Sequence, residues 1–184
     1  MQGVGGLGYA MFCAPLAAIF FPELVPNPLL AVGAPLALLA YLRERDALNR
    51  QVAAATLVGR VIGTFAATGL LLLFSTYALS ILFAVLILAA VSLSTMAWRV
   101  APTTTNLSIA GVASGIMGTI TAAGGPPFAI AMQHLAPATM RSTLGVVFFA
   151  GTIVSLSALA WVGRMGSGQW LLSLVLLPWM LAGF

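Results

Sequence analysis

Lysine is absent from this 184-residue chain, acidic residues number three, and charge of either sign occupies 5% of positions. A soluble globular domain carries about 25% charged residues, so that class is excluded at the outset. The seven basic residues are arginines scattered through apolar sequence. A nucleic-acid surface needs clustered basic side chains to displace counterions, so nucleic acid is not an expected partner. The single cysteine, Cys13, can form no intrachain disulfide, and with one histidine, His134, the chain offers no ligand array for a metal. The eight methionines, among them Met11, Met117 and Met132, show no periodic ligand pattern and read as apolar filler. There is no P-loop, and no cofactor is expected. Met1 to Gly6 has no basic residue ahead of the apolar run, and no small-residue cleavage site follows. The first apolar segment is therefore expected to be retained as a helix.

What the chain has in quantity is hydrophobicity, with 61% of residues in the apolar set. At about 20 residues per span, the length accommodates six or seven crossings. Apolar segments run over 3–21, 27–42, 51–74, 77–97, 107–133, 139–163 and 169–184. Leu70–Leu73 and Ile81–Leu88 are apolar on every face, where the strands of a membrane barrel would alternate. The expected fold is an all-α polytopic membrane protein with about seven transmembrane segments in a lipid bilayer. Trp98, Trp161, Trp170 and Trp179 fall near segment ends, as interfacial anchors do.

Charge then sets orientation. With seven crossings, the even connections carry Arg43, Arg45, Arg50, Arg99 and Arg164, and the odd ones Arg141 and Glu23. The positive-inside bias places the Arg43 to Arg50 loop in the cytoplasm. A glycine-rich segment that dips in and returns on the same side would shift every later loop. In the third segment, Gly59, Gly63 and Ala67 form a small-residue stripe suited to close helix packing. Arg60 beside it lies about 13 Å into the helix. At that depth it either faces a polar cavity or partner, or snorkels back to the interface on its long stem.

Two stretches break the helical pattern and resemble each other. Residues 2–21 overlay 114–133 without a gap, pairing Gly3 with Gly115, Gly6 with Gly118 and Pro15 with Pro127. This suggests a duplicated unit, with a first half over 1–106 and a second over 107–184, each carrying an interrupted glycine- and proline-rich helix. In the second copy, Gly124-Gly125-Pro126-Pro127 removes backbone donors and admits dihedrals that other residues avoid. Such a break is tolerated in hydrocarbon only where protein or a water-filled cavity satisfies the freed peptide groups. Exposed amides and a half-helix N-terminus at that place would attract an anion. The alternative is a proline kink satisfied by Thr119, Thr121 or a neighbouring helix.

Gly115-x-x-Gly118, then Gly124-Gly125-Pro126-Pro127, then Arg141-Ser142-Thr143-Leu144, with a weaker counterpart from Gly3 to Pro15, resembles the sulfite exporter TauE/SafE family of membrane permeases. The resemblance covers nearly the whole chain. It implies two related halves of about eight helices in all, and passage of small anions such as sulfite, sulfonates or related sulfur compounds. The expected location is the inner membrane of a bacterial cell. The first copy departs from the family pattern at Phe12-Cys13-Ala14-Pro15, where more glycine is usual. The second copy is shorter than the first, so a chain truncated at both ends is expected.

The candidate substrate-binding set is therefore Gly115, Gly118, Thr121, Gly124, Gly125, Pro126 and Pro127, with Gly3, Gly6 and Pro15 from the first copy and Arg141 or Arg60 supplying positive charge. Arg141 reads equally as an interfacial anchor. His134 is a proton-coupling candidate, although an interfacial ring is the more ordinary role. Two other readings stay open. Gly111 to Gly118 is similar to the serine motif of rhomboid-type intramembrane proteases, with Ser114 as nucleophile and His134 as base, but the spacing is poor. A non-transporting membrane subunit is the other, and homo-oligomerisation is left open by the small-residue stripe. The reading carried forward is a secondary carrier, not an enzyme, working by alternating access on a small anionic substrate.

Overall fold

In the computed structural model, residues 8–95 and 100–182 are described. They form eight α-helices: α1 Gly8–Phe20, α2 Asn27–Arg43, α3 Arg50–Leu73, α4 Thr76–Thr95, α5 Thr104–Thr121, α6 Pro126–Ala131, α7 Pro137–Trp161 and α8 Ser167–Ala182. Single 3-10 turns at Pro22–Leu24 and Arg45–Ala47 make the short connections, and no strand occurs among the described residues. Local chemistry starts the helices where the sequence supplies a cap. Asn49 Oδ1 accepts from the Gln51 and Val52 amides at 3.1 and 3.2 Å, and Thr103 Oγ1 accepts from Asn106 N at 3.3 Å. By length and composition, α3 and α7, with 24 and 25 residues, can each cross a bilayer. Their apolar side chains Val58, Ile62, Phe65, Leu72 and Ile153 are exposed, as lipid-facing surfaces are.

The tightest packing is between α3 and α5, and glycine is the reason. A Cβ on Gly59 or Gly63 would lie 2.1 Å from the Ser108 or Val112 carbonyl oxygen. From the other side, a Cβ on Gly111 or Gly115 would lie 2.3 Å from the Thr56 or Arg60 carbonyl. Two glycine pairs, each four residues apart, thus bring the backbones into direct contact, with the helices running parallel. Helix α7 runs parallel to α3 as well, and α2 runs antiparallel to α7, with Gly145 against Tyr41 and Arg141 against Glu44.

Two apolar clusters close the ends of this bundle. One joins Val52, Leu107, Ala110, Phe128, Met132, Leu144 and Val147 near the starts of α3, α5 and α7. The other joins Ala14, Ala17, Leu29, Leu30, Leu71, Ala122, Ala123 and Leu159 at the opposite end. The first cluster holds both the beginning of α5 and the end of α6. The segment expected as a single crossing over 107–133 is therefore a hairpin that enters and leaves at the end where α3 begins.

That hairpin corrects the sequence-based parity. Arg141 joins Arg43, Arg45 and Arg50 at one end of the bundle, and Arg164 lies at the other end with Glu23. The cause is the break after Thr121, beyond which α6 runs back toward the starts of α3 and α5. The first copy differs from expectation too, because α1 continues as helix through Pro15 with no interruption between Gly8 and Phe20. One proline removes one backbone donor and need not end a helix, whereas α5 ends at Thr121 with Ala122 left-handed, ahead of the Gly-Gly-Pro-Pro run that opens α6. Gly3, Gly6, Trp98 and Arg99 lie outside the described residues.

Candidate functional site

Between the two apolar clusters lies a polar layer built by α3, α5, α7 and the break. Its centre is Arg60, 1% exposed although it is the largest fully buried side chain. Because the glycines of α3 and α5 remove any bulk between the helices, the arginine cannot leave along that crossing. It extends instead toward α7, where Gly151 leaves room: a Cβ there would lie 1.9 Å from Arg60 Nε. Gly118 and Gly124 complete the cradle, with hypothetical Cβ atoms 3.2 Å from Nη2 and 3.1 Å from Nη1. The guanidinium carbon sits 5.0 Å from the Phe148 ring centroid, a cation–π contact.

Arg60 Nη1 donates to Ser114 Oγ at 2.7 Å and to the Ser114 carbonyl at 3.4 Å. Its Nε is buried with no hydrogen-bond partner among the described residues. One turn beyond Arg60, at Thr64, begins a set of three fully buried hydroxyls, one each from α3, α5 and α7. Thr119 Oγ1 and Ser155 Oγ are 2.9 Å apart, Thr64 Oγ1 and Ser155 Oγ 3.3 Å, and Thr119 Oγ1 donates to Thr64 Oγ1 at 3.4 Å. One turn further along α3, Thr68 Oγ1 donates to the Thr64 carbonyl at 2.8 Å. Arginine and hydroxyls together can hold a small oxyanion by charge-assisted hydrogen bonds.

No carboxylate neutralises this cation. The chain has three acids, and Glu23 lies in the exposed 3-10 turn, Glu44 pairs with Arg141, and Asp46 neighbours Arg45 at 3.9 Å on the surface. A lone charge at the centre of a membrane-spanning helix costs about 3 kcal/mol on insertion scales.

The break itself is arranged differently from the sequence expectation. The left-handed residue is Ala122, at φ 60°, and Gly125 is helical at φ −74°. Gly124 is needed for space, since a Cβ would lie 2.7 Å from the Ser114 carbonyl oxygen and 2.8 Å from Ser114 Oγ. Pro126 and Pro127 occupy the first turn of α6, where a missing amide hydrogen forfeits no helical bond. Thr121 Oγ1 donates to the Met117 carbonyl at 2.7 Å and accepts from Ala123 N at 3.1 Å, which gives one amide of the break a partner. Residues 122–125 are all buried, so the freed peptide groups face protein.

Of the sequence-selected residues, the structure therefore gathers Arg60, Gly118 and Gly124 around one centre. Gly115 lies in the helix crossing, and Thr121, Gly125, Pro126 and Pro127 shape the turn. Pro15 is on α1, outside the polar layer. Arg141 lies elsewhere, ten residues and so about 15 Å along α7 from Gly151. There its Nε and Nη2 donate to Glu44 Oε1 at 2.8 and 2.5 Å. The Ser142 and Thr143 hydroxyls and Glu44 Oε2 near it are buried without hydrogen-bond partners among the described residues. His134 is exposed on the turn after α6, while Ser114 is fully buried and bonded to Arg60, so the serine–histidine pair of the alternative rhomboid-type reading is not assembled. Sequence reasoning does not single out Ser155 and Gly151, which only helix packing brings to this layer, nor Thr64, which lies one turn after Arg60 on α3 where the i, i+4 spacing is a signal that could find it.

Among the described residues, no group of three or more His, Cys, Asp or Glu side chains comes together to hold a metal ion. No curated protein and no solved structure gives a significant match to the chain. The family model described as "Sulfite exporter TauE/SafE" matches residues 1–184. An apolar all-helical chain with a buried cation beside an interrupted helix agrees with that match, and the chain belongs to the sulfite exporter TauE/SafE family of membrane transporters.

Proposed function

We propose that this chain is a secondary permease for a small oxyanion, sulfite or a related sulfur anion, with Arg60 at its binding centre. The carrying observation is the buried guanidinium without a protein counter-charge, which the substrate itself would neutralise. Arg60 supplies the charge, Ser114, Thr64, Thr119 and Ser155 supply hydroxyls, and Gly118, Gly124 and Gly151 leave the space. The first half, 1–106, gives α3 to this centre, and the second, 107–184, gives the hairpin and α7.

Alternating access follows from the two apolar clusters flanking the polar layer. Opening one while the other stays closed exposes Arg60 to one side of the membrane at a time. With the α5–α6 hairpin returning to its own side, six helices cross. The end bearing Arg43, Arg45, Arg50 and Arg141 then faces the cytoplasm, and the membrane is the bacterial inner membrane. The test is uptake of radiolabelled sulfite into proteoliposomes by the wild type and by Arg60→Gln, against empty vesicles. Saturable wild-type uptake that falls at least tenfold in the variant is expected. Wild-type uptake equal to empty vesicles, or full uptake by Arg60→Gln, would reject the proposal.

A further inference from the structure

A cavity of about 440 Å³ lies at the Arg164 end of the bundle. Helices α1 to α5, α7 and α8 all contribute to its lining, which places it on the bundle axis and not in a crevice between two neighbouring helices. The helix that takes no part is α6, which returns to the opposite end after the break. Toward the polar layer the cavity is lined by Leu71 of α3, Ile120 of α5 and Leu159 of α7, all buried. These are the three parallel helices that carry the buried hydroxyls. Ile120 follows Thr119 directly, Leu159 lies four residues after Ser155, and Leu71 lies three after Thr68. Each apolar residue thus stands within one helical turn, roughly 6 Å, of a buried hydroxyl on its own helix. Among the described residues that line the cavity, Arg164 alone is charged. It is an exposed residue, and its Nη2 donates to the Leu71 carbonyl at 3.0 Å, which holds positive charge beside a lining residue.

We propose that this cavity is the vestibule through which the small oxyanion reaches Arg60 from the Arg164 end, and that Leu71, Ile120 and Leu159 form the seal between vestibule and polar layer. This route presupposes the Arg60 centre of the proposed permease and adds the way to it. A single positive charge in the lining draws an anion in. The seal is one side chain deep on each of the three helices, and it holds a hydrated anion back because stripping its water without a replacing hydrogen bond is costly. Ile120 sits at the tip of the α5–α6 hairpin, beside the turn whose Gly118 and Gly124 give the Arg60 guanidinium its room. A shift of that tip therefore joins the vestibule to the cradle.

Labelling of introduced thiols tests the route. In a Cys13→Ala background, Leu79→Cys places a thiol on the α4 wall of the cavity and Ala18→Cys places one on the α1 wall. Each full chain is reacted with N-ethylmaleimide in detergent, freed of excess reagent and reconstituted for uptake of radiolabelled sulfite. A thioether label is used because sulfite cleaves disulfides. Labelling should abolish uptake in both variants. Gly166→Cys, outside the lining and with nothing within 4 Å of its new carbon, is the control and should keep its uptake after labelling. Equilibrium binding of sulfite separates the route from the centre: labelled Leu79→Cys should still bind, by way of the opposite end, whereas Arg60→Gln should not. Full uptake by both labelled variants would overturn the vestibule and leave the Arg60 centre standing, while binding kept in Arg60→Gln would reject the centre itself. The seal is read apart from transport. The thiol of Ser155→Cys should react with N-ethylmaleimide about tenfold faster when Leu159→Ala is added, since access limits a buried thiol. Equal rates would show that Leu159 does not close the vestibule.

Discussion

Gly151→Ala is the smallest change that tests the arginine cradle, because it adds one methyl group and no charge. That methyl carbon would fall 1.9 Å from Arg60 Nε and 2.4 Å from Cδ. Restoring an ordinary contact requires a shift of about 1.5 Å. The far end of an arginine usually yields easily, but here Gly118, Gly124 and Phe148 enclose it and Ser114 Oγ holds it at 2.7 Å. The shift therefore breaks the Ser114 hydrogen bond and misaims the guanidinium. Overpacking of this kind costs about 1–3 kcal/mol in stability. A forfeited charge-assisted hydrogen bond to the substrate is worth about 1.5–3 kcal/mol, or roughly a 10- to 100-fold loss in apparent affinity. Sulfite uptake into proteoliposomes across a concentration series reads the affinity, and thermal unfolding in detergent reads the stability. Gly69→Ala on α3, with nothing within 4 Å of the new carbon, is the control and should match the wild type in affinity. If Gly151→Ala keeps wild-type affinity, the cradle does not position Arg60 for the anion.

Three further outcomes are expected. Gly63→Ala pushes a methyl group to 2.1 Å from the Val112 carbonyl oxygen, so it should lower thermal stability by about 3 kcal/mol or prevent insertion, read by melting in detergent. Glu44→Gln and Arg141→Gln each break the same ion pair, and a double-mutant cycle on stability should return a coupling of about 1 kcal/mol; additive effects would show that the pair is not coupled. His134→Ala should leave the pH profile of sulfite uptake unchanged, because the ring is exposed on a turn away from the buried polar layer.

Apolar run length made the helices legible, since lipid leaves helix as the main way to satisfy a backbone. The Gly-Gly-Pro-Pro run also marks the interruption between α5 and α6 in the sequence, whereas the Asn49 cap at the start of α3 emerges only in the structure. The depth of Arg60 was readable from its distance along α3, and its company was not. Ser155 and Gly151 lie some ninety residues away in sequence, and nothing local distinguishes them from other small residues of α7. The hairpin was hidden for a related reason: an apolar segment long enough to cross looks the same whether it crosses or folds back at its middle. Single prolines are ambiguous, since Pro15 and Pro35 lie inside α1 and α2 while Pro137 opens α7. Gly124 was selected for backbone freedom, yet it serves by giving Ser114 and Arg60 room.

The central claim is that the anion neutralises Arg60, and equilibrium binding of radiolabelled sulfite to the purified protein tests it most directly. Wild type, Arg60→Gln and Arg141→Gln are compared at equal folded fraction. One saturable site that disappears in Arg60→Gln and persists in Arg141→Gln is the predicted result. Wild-type binding in Arg60→Gln, or binding lost in Arg141→Gln alone, would contradict it and move the site to the Glu44 end of the bundle.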